Sequence, residues 1–304
     1  MSLTPNTMLL IRAISENNMS AARKLAIACL EEDTTLKNKA FTQKYIPVLK
    51  KQTELITLPD NIKYKVEALD VSDSFKTDRY LLTEENKKII DNIIRMQKVS
   101  QQLAAMQIPY VNATLLYGES GTGKTTLAKY AAHKLKLPYV FVNFSQTIDS
   151  KMGSTSSTLN LIFNYVKSHP CVFVLDELDA IAIRRSNSSD SGVDGEMNRI
   201  TITLMQELDK LPNNVVLIAT TNRLDRIDEA LVNRFPQQKH VALPDNEQKK
   251  NIIKKYISSI PILDAQEIVT IKENIDISVL ENQRDVINSV IEQIAEILYK
   301  KIGE

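Results

Sequence analysis

The sequence predicts an α/β fold in which helices cover both faces of a parallel sheet. Between residues 78 and 244, short and nearly continuous apolar segments alternate with longer segments whose apolar residues recur at helical spacing. Apolar strands of this kind are typical of parallel sheets buried on both faces. Outside this region the strand-like segments stop. We therefore expect a small N-terminal helical module at 1–57, a linker at 58–77, the α/β domain at 78–244 and a C-terminal all-helical lid at 245–304.

Each predicted element follows from its local pattern. The strands are expected at 113–117, 139–142, 171–175, 215–220 and 240–243. The helices between them are expected at 84–105, from 124 onward, and at 158–167, 196–209 and 227–233. The first 55 or so residues predict three short helices, and Pro47 is expected to bend or end the third.

Composition excludes several classes of protein. The chain has 304 residues and a net charge of +1, so no overall basic field points to nucleic acid or an anionic membrane. Cys29 and Cys171 lack metal-ligand spacing and predict buried thiols. No apolar run approaches the ~20 residues of a membrane span, and the first residues lack the pattern of a secretory signal. We expect a soluble, cytoplasmic protein.

Glycine is scarce, and its placement predicts a phosphate site. Three of only seven glycines fall within one six-residue window that directly follows the first strand of the α/β domain. The segment reads Gly118-Glu119-Ser120-Gly121-Thr122-Gly123-Lys124-Thr125 and is followed by Thr126. Glycines in such a loop allow backbone N–H groups to surround phosphates at a helix N-terminus. The pattern predicts the P-loop NTPase fold, with Lys124 at the β- and γ-phosphates of ATP and Thr125 on Mg²⁺.

A pair of acidic residues follows the third predicted strand. Asp176 is placed to supply a carboxylate to the magnesium ion, and Glu177 to orient and deprotonate an attacking water. Asp179 is compatible with a role in the site or with capping the next helix.

Three stretches carry a resemblance to a known family. They are 172–179 (Val-Phe-Val-Leu-Asp-Glu-Leu-Asp), 217–223 (Leu-Ile-Ala-Thr-Thr-Asn-Arg) and 227–235 (Ile-Asp-Glu-Ala-Leu-Val-Asn-Arg-Phe). With the phosphate loop, they resemble the AAA clade of the AAA+ ATPases over residues 78–300, as in single-module bacterial members. The resemblance implies that Asn222 holds the attacking water or γ-phosphate. It also implies that Arg234 is an arginine finger, which acts on the site of a neighbouring subunit.

The resemblance carries over less directly to other positions. Arg284 matches the nucleotide-sensing arginine of the family's lid, although a solvated helix charge explains it nearly as well. Arg199 aligns with an arginine of intersubunit contacts, and backbone atoms near Tyr80–Leu82 are expected to recognise adenine. Two departures stand out: Asn233 precedes a single Arg234, and Lys151-Met152-Gly153 lacks the aromatic residue of the family's first pore loop. The polar stretch 186–194 is expected to form a loop near the pore.

Two functions are compatible with these features. The first is an ATP-hydrolysing oligomer, as a hexameric ring or spiral, that remodels or regulates a protein partner. The alternative is a nucleotide-gated scaffold or switch that controls an effector without threading it. The general layout resembles bacterial AAA ATPases encoded beside a subtilisin-like protease, which implies such a protease as the effector and a role in defence against phage. A third interpretation, nucleic-acid loading, lacks the basic, aromatic-interleaved surface that it needs.

Overall fold

The computed structural model describes residues 4–15, 19–33, 35–51, 58–59, 61–69, 71, 75–108, 110–144, 154–181 and 192–302. It divides into two compact units, Met1–Thr57 and Leu58–Glu304. The first unit contains α1 (Pro5–Ser15), α2 (Met19–Glu32) and α3 (Lys39–Lys51), and a short 3-10 turn precedes α3. Ala13 and Ala22 are its buried apolar residues among those described. Pro47 lies inside α3, which continues to Lys51, so this proline does not end the helix.

The second unit is built on a six-stranded sheet. Its strands lie in the order β1-β3-β4-β5-β2-β6. All neighbouring pairs are parallel except β1 with β3, which is antiparallel. The strands are β1 (Glu67–Leu69), β2 (Asn112–Tyr117), β3 (Tyr139–Asn143), β4 (Val172–Asp176), β5 (Val216–Thr221) and β6 (Gln237–His240). The predicted α/β class is confirmed.

Helices cover this sheet because its central strands are apolar on both faces. They are α4 (Glu84–Ala105), α5 (Lys124–Leu135), α6 (Ser154–Lys167), α7 (Gly192–Leu208) and the short α8 (Glu229–Val232). Val172 and Val174 pack in one core with residues of α4 and α5. Phe173, which lies between them, meets Phe163 of α6 edge-on, with the ring centroids 5.2 Å apart. Alternate side chains of β4 therefore pack against the helices on opposite faces of the sheet.

Both edges of the sheet differ from the predicted pattern. The last strand was expected at 240–243, but β6 ends at His240 and consists of polar residues. It pairs with β2 on one side, so it needs no apolar run to be stable. At the other edge, β1 lies inside the predicted linker, where Ile62, Val66 and Val71 are buried.

The C-terminal part of this unit consists of helices. These are α9 (Asn246–Ser258), α10 (Ala265–Asn274) and α11 (Gln283–Ile302). Asp245 and Asp264 cap α9 and α10 through reciprocal side-chain and backbone hydrogen bonds. The three helices share a core of buried residues that includes Ile257, Ile271 and Val290. A boundary at residue 244 between two domains stays a prediction. No helix in the described part of the chain is long and apolar enough to cross a membrane.

Two residues of α6 provide a matched test of this packing. Phe163 is fully buried, whereas Leu161 is 43% exposed. We expect Phe163→Ala to lower the free energy of unfolding by about 3–5 kcal/mol, because it leaves a cavity against Phe173. Leu161→Ala should change it by less than about 0.5 kcal/mol. Urea denaturation followed by circular dichroism measures both, and equal losses would contradict the packing described.

Candidate nucleotide-binding site

A cavity lies at the carboxyl ends of β2, β4 and β5. Its volume is about 260 Å³, and it opens to solvent. The phosphate loop and the start of α5 form its floor, and the beginning of α11 forms its roof. Its lining includes Ser120, Gly121, Gly123, Lys124, Thr125, Thr126, Asp176, Glu177, Asn222 and Arg284. Most of the residues predicted from the sequence to bind nucleotide are thus brought together.

The phosphate loop needs glycine because other backbone and side-chain groups approach it closely. Gly118 has φ +148°, and a Cβ there would lie 2.3 Å from the carbonyl oxygen of Val241. Gly121 has φ +78°, and a Cβ there would lie 2.3 Å from Oδ1 of Asn282. Backbone conformation disfavours a side chain at both positions, and at Gly118 the backbone of Val241 also leaves no space for one. The glycines therefore serve the fit of the lid to the loop in addition to the loop's own curvature.

The ammonium group of Lys124 lies inside the loop. Its Nζ donates hydrogen bonds to the carbonyl oxygens of Gly118 (2.8 Å) and Glu119 (2.7 Å). Burial lowers the pKa of Lys124 to about 8, an effect that Asp176 and Asp179 oppose and that Arg284 reinforces. The loop carbonyls thus hold the lysine where an anion would meet it.

Oxygen atoms suited to Mg²⁺ converge beside the lysine. Thr125 Oγ1 donates a hydrogen bond to Asp176 Oδ1 at 3.1 Å, across the 51 residues that separate them in the chain. Mg²⁺ typically takes one or two protein oxygens and completes its shell with phosphates and water. A hydroxyl and a carboxylate in contact fit that requirement. No cluster of three or more acidic, His or Cys ligands is present in the described part of the chain, and such a site needs none.

Glu177 follows β4 in an unusual backbone conformation. Its φ and ψ are 55° and 50°, the left-handed region that residues other than glycine rarely adopt. Its backbone N–H donates to Thr220 Oγ1 at 3.4 Å, and the residue lines the cavity. Asn222 also lines the cavity, directly after β5. Glu177 and Asn222, two of the three predicted catalytic residues, therefore line the same cavity as Lys124.

Asp179 is tied to the sheet. Thr221 Oγ1 donates to Asp179 Oδ1 at 2.6 Å. This contact connects the segment after β4 to the end of β5, next to Asn222. Asp179 lies within a short 3-10 turn, Leu178–Ala180, and the next described helix, α7, begins at Gly192, so Asp179 is not the residue that caps it.

The lid contacts the phosphate loop through its backbone as well as its side chains. The N–H of Arg284 donates to the carbonyl oxygen of Gly121 at 3.2 Å. Gln283 is buried, with Oε1 2.5 Å from the position of a Cβ at Gly123. Sequence reasoning missed Gln283, Thr220 and Thr221, which carry no pattern that separates them from ordinary polar residues.

Arg234 does not line this cavity. Its guanidinium donates to the carbonyl oxygen of Ala230 at 2.7 Å and pairs with Asp209 at 3.5 Å.

The residues predicted near adenine, Tyr80–Leu82, are likewise not among the described lining residues. Arg199 is exposed on α7. The predicted pore loop at 151–153 and residues 186–191 lie outside the described residues. The rest of the stretch that was predicted to be a loop, 192–194, is instead the start of helix α7.

The lowered pKa of Lys124 has a measurable consequence for ATP binding. In the protein without nucleotide, a pKa of about 8 leaves Lys124 only about one quarter charged at pH 8.5. Bound phosphates favour the charged form and restore the full charge. Metal-free ATP binding should therefore take up about 0.7 proton per site, and affinity should fall as the pH rises from 7 to 9. Calorimetry in buffers of different ionisation enthalpy measures this uptake. Lys124→Arg, which stays charged, should show none; equal uptake by both proteins would contradict the assignment.

Comparison with known proteins agrees with this geometry. Residues 114–243 match the model of the ATPase family associated with various cellular activities (AAA). An ATP-dependent zinc metalloprotease FtsH of Lachnoclostridium phytofermentans is 32% identical over 195 residues, 62% of this chain and 34% of that protein. A proteasome-activating nucleotidase of Methanosarcina mazei is 36% identical over 159 residues, 51% of this chain and 38% of that protein. The peroxisomal ATPase pex6 of Schizosaccharomyces pombe is 34% identical over 174 residues, which make up 55% of this chain and 18% of that protein.

The chain spans less than half of the length of each of these relatives. The family-model match at 114–243 holds the phosphate loop, Asp176, Glu177, Asn222 and Arg234, and it leaves out Arg284. The sheet order, the cavity at the strand ends and this match agree with one another. Residues 114–243 of this chain are therefore similar to the AAA ATPase family in sequence, and the fold and the cavity agree with that similarity.

Proposed function

We propose that this chain binds ATP with Mg²⁺, hydrolyses it as an oligomer, and uses the cycle to remodel or regulate a protein partner. The observation that carries the proposal is the convergence of Lys124, Thr125, Asp176, Glu177 and Asn222 on one cavity. An ATP-binding site alone would not need a second carboxylate beside Asp176, nor a polar side chain at the end of the neighbouring strand.

Each of these residues has a distinct task in the proposed reaction. Lys124 moves from the loop carbonyls to the β- and γ-phosphates of ATP, where its charge is fully restored. Thr125 and Asp176 would hold Mg²⁺, which when bound neutralises charge on the phosphate oxygens. Glu177 accepts a proton from the attacking water, and Asn222 orients that water or the γ-phosphate.

Arg234 supports the oligomeric part of the proposal. It lies outside its own chain's cavity, in a shallow pocket with Asp209, Asn233 and Pro236. Its side chain is 34% exposed and that of Asp209 55% exposed, so their ion pair is weak in solvent. The guanidinium is therefore available to the γ-phosphate held by a second copy of the chain, where it would stabilise transition-state charge.

The names of the relatives support a protein as the partner. One is a metalloprotease and another activates the proteasome. They point to protein degradation in general and not to a subtilisin-like protease, so the proposal specifies no particular protease. The scaffold alternative is favoured by one sequence feature, the Lys151-Met152-Gly153 segment without an aromatic grip.

Glu177→Gln tests the hydrolytic step. It removes the base while keeping the side chain's size, so the rate of ATP hydrolysis should fall by about 10²–10⁴-fold with ATP binding retained. Glu247→Gln, an exposed position in the first turn of α9, is the matched control and should hydrolyse ATP normally. Undiminished phosphate release by Glu177→Gln would contradict the assignment. Electron microscopy of this variant with ATP would also separate a threaded polypeptide from a scaffold that only holds its partner.

Arg234→Ala tests action between subunits. Hydrolysis should fall by about 10³-fold or more, because the finger is lost from every site. Mixing this variant with Lys124→Ala should restore part of the activity, since mixed assemblies contain sites with an intact loop and an intact finger. Arg226→Ala, an exposed arginine nearby, is the control and should keep full activity. Full-rate hydrolysis by a strictly monomeric sample would show that Arg234 is not required in trans.

A further inference from the structure

The hydroxyl group of Thr220 has two partners at the centre of the site. Thr220 is 2% exposed and stands near the end of β5. Its Oγ1 donates a hydrogen bond to Asp176 Oδ1 and accepts one from the backbone N–H of Glu177 at 3.4 Å. One side chain therefore contacts both neighbouring acids, the predicted metal-binding residue and the predicted base.

The contact follows from the sheet register. The parallel pairing of β4 with β5 sets Leu175 opposite Ala219. Asp176 and Thr220 come next on their strands, so their side chains extend to the same side where the ladder ends. Thr125 Oγ1 reaches the same carboxylate from α5, at 3.1 Å from Oδ1 and 3.4 Å from Oδ2. Two hydroxyl donors, from different elements, restrict the rotation of the Asp176 carboxylate.

The second contact bears on the strained residue of the site. Glu177 has φ 55°, and its conformation persists only where the surrounding structure holds it. The Thr220 hydroxyl accepts a hydrogen bond from the backbone N–H of Glu177. This hydrogen bond holds the backbone from which the Glu177 side chain projects.

We propose that Thr220 is a positioning residue for ATP hydrolysis, acting through Asp176 and Glu177 without touching the reacting atoms. The inference rests on the function proposed above. Loss of the hydroxyl frees the Asp176 carboxylate to turn away from Thr125 and loosens the backbone at Glu177. The defect therefore affects Mg²⁺-dependent steps and turnover, whereas the phosphate loop and Lys124 keep their contacts with ATP.

The chain offers a matched control for a buried threonine. Thr114 in β2 is fully buried in the same sheet, and its Oγ1 has no hydrogen-bond partner among the described residues. Thr114→Val therefore removes a hydroxyl that makes no hydrogen bond with the described residues. Thr220→Val removes a hydroxyl that makes two hydrogen bonds. Thr220→Ser keeps the hydroxyl and removes only a methyl group.

The test compares the four full-length proteins in two assays. A fluorescent ATP analogue gives nucleotide affinity with Mg²⁺ and with EDTA, and phosphate release gives kcat and KM. For Thr220→Val we expect the gain in affinity on adding Mg²⁺, and kcat, each to fall by about 10–100-fold. Metal-free affinity should stay close to that of the unaltered protein, whereas KM, which is measured with Mg²⁺, should rise with the lost Mg²⁺-dependent affinity. Thr220→Ser and Thr114→Val should behave like the unaltered protein in both assays.

Three results would overturn the inference. The first is that Thr220→Val matches Thr114→Val in both assays. The second is that Thr220→Val loses metal-free affinity or fails to fold, and the third is that Thr220→Ser is as impaired as Thr220→Val. The second and third results would assign Thr220 to packing. Absence of hydrolysis by the unaltered protein would instead count against the proposed function, and the Mg²⁺-dependent affinities would still test Thr220.

Discussion

The register of the three central strands, β4, β5 and β2, is the constraint on which the site depends. Parallel pairing brings the carboxyl ends of all three strands to one edge. Gly118, Asp176 and Asn222, which together span just over a hundred residues of sequence, therefore lie at or directly after the ends of neighbouring strands. A shift of one residue in β4 would turn Asp176 to the opposite face of the sheet and place an apolar side chain in the cavity. The fully buried faces of these strands oppose such a shift, because each alternate side chain has its own packing layer.

Electrostatics in the cavity are arranged around an anion. Lys124 is buried, close to the acidic Asp176 and Asp179, with Arg284 acting on it from the lid. In the protein alone, backbone carbonyl oxygens accept hydrogen bonds from the ammonium group, and burial lowers its pKa. Phosphates offer a stronger partner, so the loop exchanges neutral acceptors for charged ones when nucleotide binds.

Particular elements show why sequence patterns predicted some parts of the fold better than others. Strands β4 and β5 are apolar up to their last one or two residues because they are buried on both faces, and their positions were predicted to within one residue. Strands β1 and β6 lie at the sheet edges, where one side makes no strand pairs and polar residues are tolerated. Edge strands carry little signal in hydrophobicity, and for this reason β6 was expected three residues too late and β1 was assigned to a linker.

The sequence by itself determined the chemistry of the site, because glycine spacing, a lysine before a threonine, and paired acids after an apolar strand are local patterns. Tertiary structure alone decided which polar groups support them. Asn282 and Gln283 meet the phosphate loop from the lid, some 160 residues away, and Thr220 meets Asp176 across two strands. Such contacts depend on strand register and on the approach of one element to another, which leave no periodic trace in the chain. The sequence thus specifies the reactive groups, and packing between distant segments specifies how they are held.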